Sequence, residues 1–378
     1  MLFTICKVVR AVRDHKAFTL VEVVVILVVL SVLAAVAIPM AFRIFQVTAE
    51  DATRGEMANL KNAMIGNPQK LQSSFRSDFG FLGDIGCMPA VLDRLLSAGG
   101  LPTPYTFDST KQAGAGWKGP YITGTPGEVF TTDQWGNSYT YTPEAGPCPL
   151  TATLTSSGPD VASTSDDITV SMAAAETTAN VRGTVTDTAA VGLEGVPVEI
   201  YAAVNGVLTT TPGTTDANGN YVFGSVPFGP RGVRALPRLV YSPGSVTTGG
   251  GGTDITFKVV NYSTSAFVID FVQAVYTGGA TYNQIRINGP AVDPAGTFSS
   301  GSNVNVTNTS IATASAARPS MRVYVDSPDT QLPNIIISGQ GTVATIELNN
   351  YSADMRGTPF TVTFTDTGGV TSIVKFTP

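Results

Sequence analysis

Few of the 378 residues are equipped for chemistry, and those few lie far apart. The single histidine, His15, falls in a basic stretch from Lys7 to Lys16, and no Walker loop or Gly-x-Ser-x-Gly elbow occurs anywhere. Three cysteines are present, Cys6, Cys87 and Cys148, and the two later ones have no histidine downstream to activate them as nucleophiles. Nothing therefore singles out an enzyme. One carboxylate does stand out: Glu22 immediately precedes twenty uncharged residues, Val23 to Phe42. Carrying a carboxylate into the edge of an apolar span costs about 2–3 kcal/mol, so such a group needs a partner or a task.

The element that positions Glu22 is the apolar run itself. As a helix rising about 1.5 Å per residue it would span about 30 Å of hydrocarbon, which makes it a membrane segment. Basic residues Lys7, Arg10, Arg13 and Lys16 precede it, so the positive-inside rule holds the N-terminus in the cytoplasm and sends the rest outward. A cleaved secretory signal would have a shorter apolar region ending in small residues at a cut site. The whole chain has 22 basic and 28 acidic residues, and its basic excess is concentrated ahead of the span. An acidic body without a basic stripe argues against nucleic acid as a partner.

The stretch Lys16-Ala17-Phe18-Thr19-Leu20-Val21-Glu22 resembles the prepilin-peptidase motif of type IV pilin-like proteins: a small residue, then Phe, then Glu as the fifth residue of the mature chain. The resemblance implies that residues 1–17 are a leader cut between Ala17 and Phe18, and that Phe18 receives an N-methyl group. It also implies that Glu22 pairs with the amino terminus of a neighbouring subunit while the apolar stripe packs a filament core. A buried amine is stabilised by a carboxylate far more than in water, so such a pair would fix subunit register. Pro39 falls where the family has a proline that loosens the membrane helix. The family usually has Gly where this chain has Ala17. Loss of the leader would remove Cys6 and leave Cys87 and Cys148, either as a disulfide in an oxidising compartment or as two buried thiols.

After Arg43 the helical pattern continues in amphipathic form through Ile44, Val47, Met57, Leu60, Met64 and Ile65, then stops at Gly66-Asn67-Pro68. This predicts a transmembrane and spine helix over 18–66 and a globular part over 67–172. Trp117-Lys118-Gly119-Pro120-Tyr121-Ile122 and Asp133-Gln134-Trp135-Gly136-Asn137-Ser138-Tyr139-Thr140-Tyr141 read as turn-plus-strand segments. They resemble patterns of the type II secretion major pseudopilins, a likeness covering residues 16–170. That family binds calcium in the loop after its last strand. The matching stretch here, 156–168, carries Ser157, Asp160, Asp166 and Asp167, and calcium takes six to eight oxygens of these kinds. The competing reading is a solvated acidic turn.

About two hundred residues follow. Alternating apolar residues and an Asn218-Gly219 turn predict a small antiparallel sandwich over 173–240, similar to the carboxypeptidase-regulatory-like module. The run Asp216-Ala217-Asn218-Gly219-Asn220 reads as a hairpin turn, since it lacks a downstream calcium-binding glutamate. Ser242 to Gly252 reads as a flexible Gly-rich linker within 241–254. A second sandwich, immunoglobulin-like, is predicted over 255–378, with a strand at Met321 to Asp326 and a long exposed loop from Ser299 to Ser315. The fold class is thus an α+β pilin fold followed by two all-β sandwiches.

Two functional readings follow from this pattern. One is a structural subunit of a secretion pseudopilus, cut by a prepilin peptidase and polymerised at the inner membrane with identical and related pilin-like subunits. In it an assembly ATPase and secretion platform act indirectly, and the body lies in the periplasm. The other is a type IV pilus subunit or minor pilin displaying its sandwiches for adhesion or ligand binding.

Overall fold

The structure is a computed structural model and describes residues 19–123, 131–161, 163–187, 190–236, 239–261, 263, 266–312, 320–337 and 342–378. It begins with one long helix, α1 (Leu20–Ile65, 46 residues), which ends at Gly66 with φ at 81°. A Cβ at Gly66 would collide with the Asp78 carbonyl, so the stop requires glycine twice over. The apolar residues at the start of α1 are all exposed, whereas Thr53, Met57, Leu60, Ala63 and Met64 are buried at spacings of three and four. Ile44 and Val47 belong to the exposed part, so the amphipathic stripe starts later than the sequence pattern suggests.

The buried half of α1 packs on a small head. A two-residue ladder, β1 (Leu71–Gln72) with β2 (Phe75–Arg76), leads to the short helix α2 (Gly80–Ile85) and the hairpin of β3 (Thr106–Asp108) and β4 (Ala113–Ala115). Next comes an antiparallel sheet of β5 (Thr140–Pro143), β6 (Ala152–Ser156) and β7 (Ile168–Met172), with β7 against α1. Lys61 on α1 fastens the far end, 2.7 Å from Glu176 and 3.0 Å from the Ser171 carbonyl. The predicted strand at Trp117 to Ile122 is absent. Its aromatics fill space instead: the Trp117 indole donates to the Arg94 carbonyl at 2.9 Å, and its ring meets Tyr121 edge-on. Cys87 and Cys148 form a disulfide with Cα atoms 5.0 Å apart, closing a separation of 61 residues.

A first sandwich follows the head without a break in the core. Its strands are β8 (Thr178–Thr186), β9 (Pro197–Val204), β10 (Val207–Thr214), β11 (Asn220–Pro227) and β12 (Gly229–Ala235). The Asp216–Asn220 turn is formed, with the Asp216 carboxylate accepting from the Asn218 and Asn220 amides at 2.8 Å each, but it does not close the expected hairpin, because β10 pairs with β9 and β11 with β8. It joins strands of opposite sheets.

The second sandwich starts at Leu239, before the segment read as a linker, and runs through it. β13 (Leu239–Tyr241) and β14 (Thr247–Gly249) both pair with β15 (Asp254–Asn261). Gly250, Gly251 and Gly252 all have positive φ and make the tight turn between β14 and β15. A Cβ on Gly252 would collide with the Asp354 carboxylate, so these glycines serve a turn and a close approach where flexibility was expected. β16 (Phe267–Tyr276), β17 (Thr281–Tyr282), β18 (Gln284–Ile287), β19 (Phe298–Ser299) and β20 (Asn303–Ile311) continue it. β20 occupies most of the expected 299–315 loop, and buried Val304, Val306 and Ile311 explain why it is a strand.

The chain then leaves the second sandwich and returns to the first. β21 (Met321–Val325) pairs antiparallel with β12, while β22 (Asp329–Gln331) and β23 (Ile335–Ile336) pair parallel with β8. The strand expected at Met321 to Asp326 thus exists but belongs to the other sandwich. β24 (Thr342–Asn349), β25 (Phe360–Asp366) and β26 (Thr371–Phe376) complete the second body. The expected boundaries at 172 and 255 do not separate closed units: one continuous hydrophobic core joins Met57 and Leu60 of α1, Leu154 of the head, Val198 of the first sandwich and Val325 of the returning strand. A separate core holds Phe257, Val272, Ile346 and Phe364.

Arg231 shows how tightly head and first sandwich are joined. It is wholly buried, and its guanidinium donates to the carbonyls of Pro227 (3.0 Å), Phe228 (2.8 Å) and, across the junction, Gly83 of α2 (3.0 Å). Burial lowers its pKa to about 10, so it stays charged at neutral pH. Beside it, a Cβ on Gly232 would collide with the Lys111 carbonyl of the head. Arg231→Met leaves those carbonyls without a donor and is expected to lower the free energy of unfolding by about 2 kcal/mol or more in urea titrations. An unchanged midpoint would contradict this role. Replacing both Cys87 and Cys148 by Ser is expected to remove about 3 kcal/mol, read the same way under non-reducing conditions.

Candidate functional site

The N-terminal end of α1 is built by three residues. Thr19 caps the helix with extended backbone angles, and its hydroxyl accepts from the Glu22 amide at 3.2 Å. The Glu22 carboxylate reaches back to the Thr19 amide and hydroxyl at 3.3 Å each, completing a capping box. Both return bonds use Oε2, and among the described residues no donor reaches Oε1. A carboxylate here is also favoured by the positive end of the helix dipole. Glu22 can therefore start the helix and still accept a cation.

Beyond this cap, Leu20 through Val47 present large apolar side chains all round, with exposures of 44–81%. The most apolar window of the helix has a mean hydropathy of 3.1 and no residue buried within the chain. Pro39 lies inside the helix. A surface this size in water is unstable, so lipid or other helices must cover it. Ala17 and Phe18 lie outside the described residues.

Sequence reasoning missed Asp133, the residue that organises the head loops. It is buried, and its Oδ1 accepts from the Trp135 and Asn137 amides at 3.0 and 2.8 Å. Its Oδ2 takes the Ser156 hydroxyl at 2.7 Å, and Asn137 Nδ2 donates to the Gly158 carbonyl at 2.7 Å. The amide of Gln134 reaches the buried Thr53 hydroxyl on α1 at 3.2 Å. The Asp-x-x-Gly-Asn spacing is an Asx-turn signal that could have found this hub. It anchors the start of the 156–168 loop to the spine helix.

The loop itself does not gather the expected calcium ligands into a cluster. Among the described residues no group of three His, Cys, Asp or Glu side chains is placed to hold a metal ion. The Asp160 carboxylate accepts from the Ser163 amide at 2.6 Å, and the Ser163 and Ser165 hydroxyls lie 2.7 Å apart. A Cβ on Gly158 would press on the Asp166 carbonyl at 2.9 Å, so the two ends of the loop approach closely. Three carboxylates, Asp160, Asp166 and Asp167, with the Ser157 hydroxyl and carbonyl oxygens, are the donors that this loop carries.

Comparison with known proteins bears on the N-terminus. Residues 12–38 match the prokaryotic N-terminal methylation motif. No curated protein matches the chain. Among solved structures, the major pilin SpaD from Corynebacterium diphtheriae aligns at 11% identity over 54% of this chain and 66% of its own, with a TM-score of 0.23. The major pilin BcpA of Bacillus cereus aligns at 9% identity over 52% and 67%, with a TM-score of 0.14. The T6 backbone pilin of Streptococcus pyogenes aligns at 12% identity over 50% and 41%, with a TM-score of 0.17. Scores this low carry no inference for this chain. The motif at 12–38 is one that this N-terminus shares with type IV pilin-like proteins, and an apolar helix and a β-rich body follow it.

Proposed function

We propose that this chain is a structural filament subunit of a type II secretion pseudopilus. A prepilin peptidase cuts it between Ala17 and Phe18, Phe18 is N-methylated, and the exposed half of α1 packs against the helices of identical and related subunits. Before assembly it spans the inner membrane once, with a cytoplasmic N-terminus and a periplasmic body. A secretion platform and an assembly ATPase drive polymerisation from outside the chain, which itself performs no catalysis. The observation that carries the reading is the pairing of an uncovered apolar half-helix with Glu22 at the helix start, whose Oε1 no donor reaches among the described residues. The pseudopilin assignment is further supported by the Trp-x-Gly-Pro-Tyr and Asp-x-Trp-Gly-Asn sequences of the head.

A second reading, a type IV pilus subunit or minor pilin for adhesion, is favoured by the bulk of the β-rich extension and its fusion to the head through a shared core. Both readings need Glu22. Glu22→Ala is expected to leave membrane insertion intact and abolish helix-to-helix crosslinking between subunits in cells that supply the assembly machinery. Crosslinking at the original level would overturn the filament reading.

Calcium is proposed for the 156–168 loop, through Asp160 and Asp167 with help from Ser157, Asp166 and loop carbonyls. It would neutralise the acids and stiffen the loop that Asp133 anchors. Adding calcium after EDTA is expected to raise the melting temperature by about 2–4 °C, an increment that Asp160→Asn removes. An identical melting curve in both conditions removes calcium from the reading.

A further inference from the structure

The return of β21 to the first sandwich has a consequence at the surface. It brings Arg322 and Tyr324 to the mouth of a groove of about 580 Å³ that the head lines from the other side. Phe75 of β2 is 56% exposed and stacks on Tyr324 with ring centroids 5.4 Å apart. The Arg322 guanidinium lies 5.4 Å from the Tyr324 ring and 5.4 Å from the ring of Phe107, itself 45% exposed. At the groove, Lys118 Nζ sits 5.4 Å from the Tyr105 ring. Neither Lys118 nor Arg322 forms a salt bridge among the described residues.

Water-exposed aromatic faces with cations held beside them suit a ligand that offers a flat, weakly polar face and a negative charge. A guanidinium fixed between two rings is pre-oriented for bidentate contact with a planar carboxylate, and a ring face takes the C–H face of a pyranose. Two carboxylates also line the groove, but both have partners: Asp78 lies 3.1 Å from Lys70, and Asp84 accepts from the Tyr121 hydroxyl at 3.0 Å. Sites of this kind form where separate parts of a chain meet, as β2, the 105–121 segment and β21 do here.

We propose that this groove binds a carboxylated saccharide, with the sugar ring on the exposed face of Phe75, the face turned away from Tyr324, and the carboxylate between Arg322 and Lys118. The site belongs to the body and takes no part in polymerisation, so its failure leaves the filament reading intact.

The test is calorimetric titration of the full-length chain in detergent micelles with tetragalacturonate, alongside neutral maltotetraose and a tetraglutamate peptide. Tetragalacturonate is expected to bind, and the other two at least about tenfold more weakly. Arg322→Gln and, independently, Lys118→Gln should each weaken tetragalacturonate about tenfold while the circular dichroism spectrum stays unchanged. Phe75→Ala should weaken it through the ring face alone. No binding, or equal binding of the neutral sugar, overturns the proposal. Equal binding of the peptide reduces the site to a charge patch and overturns it too.

Discussion

The apolar surface of α1 from Leu20 to Val47 is the constraint on which everything else depends. None of the described residues covers it, so it needs a bilayer or other helices. The same helix cannot simply be an anchor appended to a body, because its second half supplies Met57, Leu60 and Met64 to the core of the head. One continuous rod thus links the surface that must be covered to the head it carries. The Glu22 cap sets where that rod begins and Gly66 where it ends.

The body continues this logic of shared structure. Head and first sandwich meet through one core, the Arg231 guanidinium and close backbone contact at Gly232, and the second sandwich lends β21 to β23 to the first. A buried arginine held by carbonyls is tolerated because each guanidinium nitrogen finds an acceptor fixed by backbone. The interleaving means that forces on the sandwiches pass to the head through several strands at once.

Much of this was legible in the sequence, for physical reasons. The apolar run, the Glu22 position and the stop at Gly66-Asn67-Pro68 are local signals, and the helix obeys them within a residue or two. Strands such as β15, β16 and β24 follow period-two alternation. The pairing of Cys87 with Cys148 agrees with one of the two alternatives left by the cysteine count. What stayed hidden was non-local. Which sheet β21 joins depends on a partner ninety residues earlier in β12, and no local pattern encodes it. Arg231, between Gly and Pro neighbours, looks like a surface turn, although those small residues are what let backbone carbonyls close around it. Glycine richness misled at 250–252, where positive φ was wanted and looseness was not.

The measurement that bears most directly on all of this is the intact mass and N-terminal fragmentation of the chain made with and without a prepilin peptidase. A mature chain beginning at Phe18, carrying one methyl group and appearing only when the peptidase is present, is the predicted result. A chain that keeps its first seventeen residues, or is cut elsewhere, would contradict it and leave a membrane-anchored display of β-sandwiches in place of a filament subunit.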